Sequence, residues 1–212
     1  RDQSRGLGDV YKRQPLYFLY LRVTSFILKK PSWIFFLSKI LNFGLIKIDI
    51  FYITYIFISM EKALFGAGCF WGVEETFCKT PGVINTLVGY SGGDTINPSY
   101  ESVCQGNTNH TEVVLVEFDN SKISYEDLLM VFWKCHDPTT LNRQGPDIGT
   151  QYRSAIYYYN EDQKNKSIHS KNEYAKSAGL NIVTEISEAK EFYKAEEYHQ
   201  KYIQKTGLHC AI

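Results

Sequence analysis

Apolar and polar positions fall into two rhythms from Met60 onward, and neither rhythm is sustained before it. Residues 62–66 and 83–90 are short apolar runs of strand length. Residues 112–118 hold Val113-Val114-Leu115-Val116, a β-branched core bounded by Asn109 and Asp119-Asn120, and form the clearest strand in the chain. Ser124-Tyr125-Glu126-Asp127 has the form of a capping box and predicts a helix running to Cys135, which Asp137-Pro138 ends. Residues 155–159 read as a strand, and 161–178 as a polar helix closed by Gly179. Residues 182–186 read as a strand, and 188–205 as a last helix closed by Gly207. The alternation predicts an α+β fold. Two long irregular stretches, 91–109 and 138–152, interrupt it. Loops of that length inside a compact domain are usually functional, and these carry or border Tyr100, His110, Asp147 and Tyr152.

Charge divides the chain at the same point. Residues 1–59 hold nine Lys/Arg and three Asp, leaving 14 basic against 20 acidic residues for 60–212 out of 23 of each. The overall neutrality therefore averages a segment of +6 with one of −6. All five Cys and all five His lie in the second. The first is rich in Phe, Tyr, Ile, Leu and Lys without helical period or alternation. Its longest uncharged run, residues 50–60, has 11 residues, against roughly 18 for a spanning helix. It has no apolar stretch followed by a small-residue cleavage site. Gly8-Asp9-Val10-Tyr11-Lys12-Arg13-Gln14 resembles the conceptual translation of a sequencing-library adaptor, and residues 15–59 have the bias of AT-rich non-coding DNA read in frame. The expectation is that 1–59 is a non-domain leader and read-through, with Met60 the natural start. A membrane-associated leader is the alternative. Residues 60–212 suffice for one core, and their acidity argues against a nucleic-acid partner. With no C-x-x-C pair and no ligand cluster, neither a metal site nor a thioredoxin-type site is expected. An odd cysteine count fits reduced thiols in the cytoplasm better than a disulfide framework.

The chemistry concentrates in Gly68-Cys69-Phe70-Trp71-Gly72. Small residues lead in, and Val73-Glu74-Glu75-Thr76-Phe77 leads out as helix material with acids expected in the first turn. This predicts strand, tight turn and helix, with Cys69 at the helix start, where unpaired N–H groups and the macrodipole favour a thiolate. The aromatics supply an apolar wall beside it. The competing reading is a buried structural cysteine. Cys78 lies nine positions on, about 900° round a helix, so core packing is expected for it, and Cys135 reads the same way.

Further segments appear in order: Gly89-Tyr90-Ser91-Gly92-Gly93, Asn97-Pro98-Ser99-Tyr100, His110-Thr111-Glu112-Val113, Phe132-Trp133 with His136-Asp137-Pro138, and Gly149-Thr150-Gln151-Tyr152-Arg153-Ser154. Together with the pentapeptide, they resemble the peptide-methionine (S)-S-oxide reductases, the A-type methionine sulfoxide reductases, across essentially all of 60–212. The resemblance implies one α+β domain, a mixed β-sheet with packed helices in a ferredoxin-like α/β plait, and thiol-dependent reduction of methionine (S)-sulfoxide in proteins and as the free amino acid. It implies Cys69 as nucleophile and Glu112 as proton donor to the sulfoxide oxygen, which Tyr100 and Tyr152 hydrogen-bond. Phe70 and Trp71 form the wall around the substrate methyl, and Asp147 orders the site through water. Cys210 falls on the recycling cysteine. The glycine-rich tail and further cysteine of many relatives have no counterpart after Ile212, so one resolving cysteine is expected. Cys104 matches a frequent cysteine position without a firm role. The implied partners are thioredoxin, as electron donor with no bound cofactor, and oxidised protein or peptide methionine; a monomer is expected.

The roles make physical demands. A sulfoxide is a poor target for a thiolate unless its oxygen is protonated as the sulfur is attacked, so a thiolate and a protonated acid must share one pocket. Glu112 must be pushed above its ordinary value of about 4.3, with desolvation by Phe70, Trp71 and Trp133 the expected means. The alternatives are a solvated strand-end carboxylate for Glu112, surface tyrosines for Tyr100 and Tyr152, and an ordinary loop histidine for His110. A different thiol enzyme, a Cys-His hydrolase with His110 or His136 as base, is the other chemistry open to this chain.

Overall fold

The first strand, β1 (Met60–Ala67), sends Ala63, Phe65 and Ala67 into one hydrophobic layer and Leu64 into another, as alternating strand side chains must. The computed structural model describes residues 60–208; the leader and Cys210 lie outside the described residues. From β1 the chain turns into α1 (Phe70–Cys78) and returns as β2 (Val83–Ser91). A short α2 (Tyr100–Cys104), β3 (Thr111–Asp119) and α3 (Tyr125–Lys134) follow. Then come a small hairpin, β4 (Arg143–Gln144) and β5 (Asp147–Ile148), and a 3-10 turn, Thr150–Tyr152. The chain ends in β6 (Ser154–Tyr158), α4 (Glu161–Ala178), β7 (Glu185–Glu188), β8 (Tyr193–Lys194) and α5 (Tyr202–Thr206).

The main sheet has the order β7-β6-β1-β3-β2-β8. Every neighbouring pair is antiparallel except β6 and β7, which makes the sheet mixed. Its inner four strands with their helical crossovers form the ferredoxin-like plait that the sequence resemblance implies. Phe65 stacks on Phe77 and Phe132 with ring centroids 5.2 Å from each, and on Tyr125 at 6.2 Å, so one β1 side chain joins α1 and α3 to the sheet. The opposite face carries a smaller cluster of Leu64, Val113, Leu115, Ala155 and Tyr157.

Local signals place most elements. Ser124 Oγ accepts from Asp127 N–H at 3.1 Å while Asp127 Oδ2 accepts from Ser124 N–H at 3.1 Å, the reciprocal capping box. Asn160 caps α4 and Gly179 closes it in the left-handed region at φ 66. The acids after Cys69 fall later than expected. Because α1 begins at Phe70, Glu74 and Glu75 sit in its second turn, where Glu74 is buried and accepts from the Lys201 backbone N–H at 2.7 Å.

The segment 188–205 corrects the sequence expectation of a helix. It holds the end of β7, β8, a run of turns and only the short α5. Its helix-forming residues are used instead as tertiary contacts. Gln200 accepts from Val88 N–H at 3.0 Å and donates to Val88 C=O at 2.9 Å, so a side chain extends the sheet beyond β8. Lys201 takes φ 53, which breaks any helix there. Gly89 makes room for this strap, since a Cβ at that position would lie 2.4 Å from Tyr193 O. The expected strand at 182–186 is displaced toward the C-terminus, pairing with β6 only from Glu185 to Glu188.

Gln200→Ala is expected to lower unfolding free energy by about 2 kcal/mol, because a buried backbone N–H is left unsatisfied. Urea titration with an unchanged m-value checks this; a loss within experimental error contradicts the role given to the side chain.

Candidate active site

The site is built where β1 ends, and glycine makes the construction possible. Gly68 has φ +92, and a Cβ there would lie 2.5 Å from Gln144 Cγ. Gln144 pairs with Asp147 across the β4–β5 hairpin, and its amide grips Asp137 N–H at 3.0 Å and C=O at 2.9 Å. Absence of a side chain at 68 therefore lets the element carrying Asp147 rest on the Cys69 turn. Cys69 itself is half-buried and occupies the N-cap of α1, its thiol spared from capping.

The next backbone N–H belongs to the acid. Phe70 N–H donates to Glu112 Oε2 at 3.1 Å, from the first residue of α1 to the second of β3. Glu112 is only 2% exposed. Burial pushes its carboxyl up to about 8, with Asp147 pushing the same way and the Phe70 N–H opposing. Burial therefore exceeds the pull of the helix start, and at neutral pH the group is a neutral carboxylic acid. With Oε2 accepting from the backbone, the remaining O–H is available to donate. Trp133, expected to help dry this carboxyl, packs against α4: its Nε1 donates to Ser170 Oγ at 2.8 Å and its ring stacks on Tyr174 at 5.6 Å.

Tyr100 opens α2, its N–H donating to Glu196 Oε1 at 2.9 Å and its phenol within electrostatic reach of the Cys104 thiol and Glu112. Tyr152 ends the 3-10 turn, within electrostatic reach of Glu112, Cys104, Asp147 and Cys69. Burial is the main cause raising both phenols, so both are neutral O–H donors. Trp71 stacks on Tyr202 with centroids 3.9 Å apart and 13° between planes, and its Nε1 donates to His199 Nδ1 at 3.1 Å. Phe70 is buried beside it, 6.3 Å ring to ring. The structure thus brings Cys69, Phe70, Trp71, Tyr100, Glu112, Asp147 and Tyr152 into one neighbourhood: a cysteine at a helix start, a neutral acid, two hydroxyl donors and an aromatic wall. That set can attack a soft electrophilic centre while protonating an oxygen attached to it.

Sequence reasoning missed Glu196, His199 and Tyr202. Their signal was the density of Tyr198-His199-Gln200-Lys201-Tyr202, which the pattern absorbs into a surface helix. Both histidines of the hydrolase alternative are occupied elsewhere. His110 accepts from Gly93 N–H at 3.2 Å and reaches Thr95 C=O at 2.8 Å, which pins the loop before α2. His136 spans Phe132 C=O at 2.8 Å and Ser154 Oγ at 2.7 Å, and burial lowers it to about 4. Cys78 is not a core residue: it is half-buried, with Thr86 Oγ1 at 3.0 Å and Lys201 Nζ at 3.1 Å. Cys135 is buried, and burial pushes its thiol up to about 12. Among the described residues, no three His, Cys, Asp or Glu side chains gather as a metal site requires.

Comparison with known proteins gives a consistent result. The family model described as Peptide methionine sulfoxide reductase matches residues 61–211. The chain is 56% identical over 147 residues to the peptide methionine sulfoxide reductase MsrA of Methanothermobacter thermautotrophicus, covering 68% of this chain and 87% of that one. It is similar to reduced Mxr1 from Saccharomyces cerevisiae, with TM-score 0.70 and 35% identity over 73% of this chain and 90% of that one. Methionine sulfoxide reductase A of Corynebacterium diphtheriae aligns with TM-score 0.68 and 41% identity, over 72% and 78%.

The raised carboxyl has a consequence for stability. The folded state holds the Glu112 proton up to about 8, whereas an ordinary Glu releases it near 4.5. Its contribution is present below 4.5 and lost as pH rises toward 8. Relative to Glu112→Gln, the parent protein is expected to lose stability across that window with a slope approaching about 1.4 kcal/mol per pH unit. Denaturant unfolding of both proteins from pH 5 to 8 measures it; parallel curves contradict a buried neutral acid.

Proposed function

The chain belongs to the peptide methionine sulfoxide reductase family, and we propose that it reduces the (S)-sulfoxide of methionine, in proteins and as the free amino acid, with Cys69 and Glu112 as the reacting pair. The observation that carries this assignment of roles is the Phe70 N–H bond to Glu112, which holds a neutral carboxylic acid one residue from the nucleophile. The Cys69 thiolate attacks the sulfoxide sulfur as Glu112 gives its proton to the oxygen. The hydroxyl then passes to the cysteine sulfur, so methionine leaves, Cys69 becomes a sulfenic acid and Glu112 a carboxylate that regains its proton from solvent. Tyr100 and Tyr152 donate to the oxygen, Asp147 helps hold Glu112 protonated, and Phe70 with Trp71 encloses the methyl group.

Recycling follows the cysteine oxidation ladder: a second thiol condenses with the sulfenic acid, releasing water and leaving a disulfide. Cys210 is the thiol we assign to that step, and a thioredoxin dithiol is the reductant that reopens the bond. Mxr1 from Saccharomyces cerevisiae has been solved in complex with Trx2; for this chain thioredoxin recycling is the proposal. The chemistry requires thiols kept reduced, as in the cytoplasm. No helix among the described residues is long and apolar enough to cross a membrane. We assign the activity to residues 60–212, so a chain begun at Met60 would keep the kcat/KM of the full chain.

Glu112→Gln retains shape and removes the donor. Methionine release in a single turnover is expected to slow by about 10²-fold or more, the usual range for general acid catalysis. In the parent protein the same rate should fall above pH 8, where the carboxyl ionises. An unchanged rate in the variant removes Glu112 from the mechanism. Cys210→Ser should still release one equivalent of methionine yet fail to turn over with thioredoxin; normal turnover removes Cys210 from recycling.

A further inference from the structure

His199 is 1% exposed, packed among Phe70, Trp71, Tyr100 and Tyr198 at ring distances of 5.2, 5.5, 4.5 and 4.2 Å. Its one hydrogen bond to the wall fixes its protonation state. An indole N–H can only donate, so the 3.1 Å contact from Trp71 Nε1 requires a lone pair on His199 Nδ1. The ring is then neutral with its proton on Nε2, an assignment made from the network. Burial lowers its basicity in the same direction. Nε2 finds no hydrogen-bond partner among the described residues; the Glu196 carboxylate stands 3.9 Å away, beyond bonding distance. A buried, half-satisfied imidazole is costly. It is held by the rest of the strap: Gln200 on Val88, Lys201 N–H on Glu74, and Glu196 accepting from the Tyr90 hydroxyl at 3.0 Å.

Among the described residues, one ring stacks face to face on Trp71. Tyr202 stacks against it at 3.9 Å, which limits tilt but leaves rotation in the plane of the ring. The hydrogen bond at the indole edge removes that freedom. We propose that His199 is a positioning residue for substrate binding: as a hydrogen-bond acceptor it locks the in-plane orientation of Trp71, and so the shape of the pocket that receives the sulfoxide's methyl group. This inference rests on the assignment of Trp71 to that wall.

The test uses the full chain under single-turnover conditions without reductant, with excess N-acetyl-methionine sulfoxide and methionine formation as readout. His199→Asn keeps an acceptor where Nδ1 stands; His199→Gln moves the amide to the Nε2 side; His199→Leu removes it. Loss of one such bond should raise the half-saturating substrate concentration about five- to tenfold in the Gln and Leu variants. The limiting rate should stay within about twofold, and the Asn variant should behave like the parent. Where the Leu variant does not fold by circular dichroism, the Asn–Gln comparison carries the test. Trp71→Phe should raise half-saturation similarly, and adding His199→Gln to it should change nothing more. Multiplying effects in the double variant, an Asn variant no better than Gln, or a loss in limiting rate with half-saturation intact would overturn the positioning role. A Trp71→Phe variant with parental half-saturation would instead overturn the wall assignment, and with it the role of His199.

Discussion

The hydrogen bond from Phe70 N–H to Glu112 Oε2 ties together two elements that nothing local would join. It uses a donor that any helix start leaves unsatisfied. It fixes the acid on β3 beside the cysteine on the turn before α1. The interaction also opposes the state the chemistry needs, because a backbone N–H favours the ionised carboxylate. Burial outweighs it, at 2% exposure, and leaves a neutral acid with one oxygen held and one hydroxyl to give. Desolvation thus sets the protonation state, and the hydrogen bond sets the direction in which the proton is presented.

The remaining architecture keeps that carboxyl dry and the neighbouring groups in register. Gly66 and Gly68 permit contacts a side chain would block: a Cβ at 66 would lie 2.6 Å from Thr111 Cγ2, beside Glu112 on β3. Residues 193–202 close the opposite flank as an irregular strap. Glu196 seats Tyr90 and Tyr100, His199 holds Trp71, and Gln200 substitutes for a strand against Val88.

Where the sequence was legible, the cause was local. The capping box at Ser124 and the Gly179 end of α4 are stated within a few residues, and the structure keeps them. Cys69 at a helix start follows from its glycines. The pairing of Glu112 with Phe70 spans 42 residues and is invisible to periodicity; the resemblance put both residues in one site without pairing them. The segment after Glu188 departs from its helical pattern because its Glu, Lys and Gln residues favour helix in isolation, while their side chains here satisfy buried partners on β2, α1 and α2. Tertiary demand overrode propensity there.

The proposed mechanism depends on Glu112 being a protonated acid in the resting enzyme. Carbon-13 NMR of the side-chain carboxyls in glutamate-labelled protein, with Glu112→Gln identifying the resonance, reads that state directly across pH. A carboxyl resonance titrating with a midpoint near 8 is the predicted result. A midpoint near the ordinary 4.5 would mean a carboxylate at neutral pH, and would contradict the proton donor on which the mechanism is built.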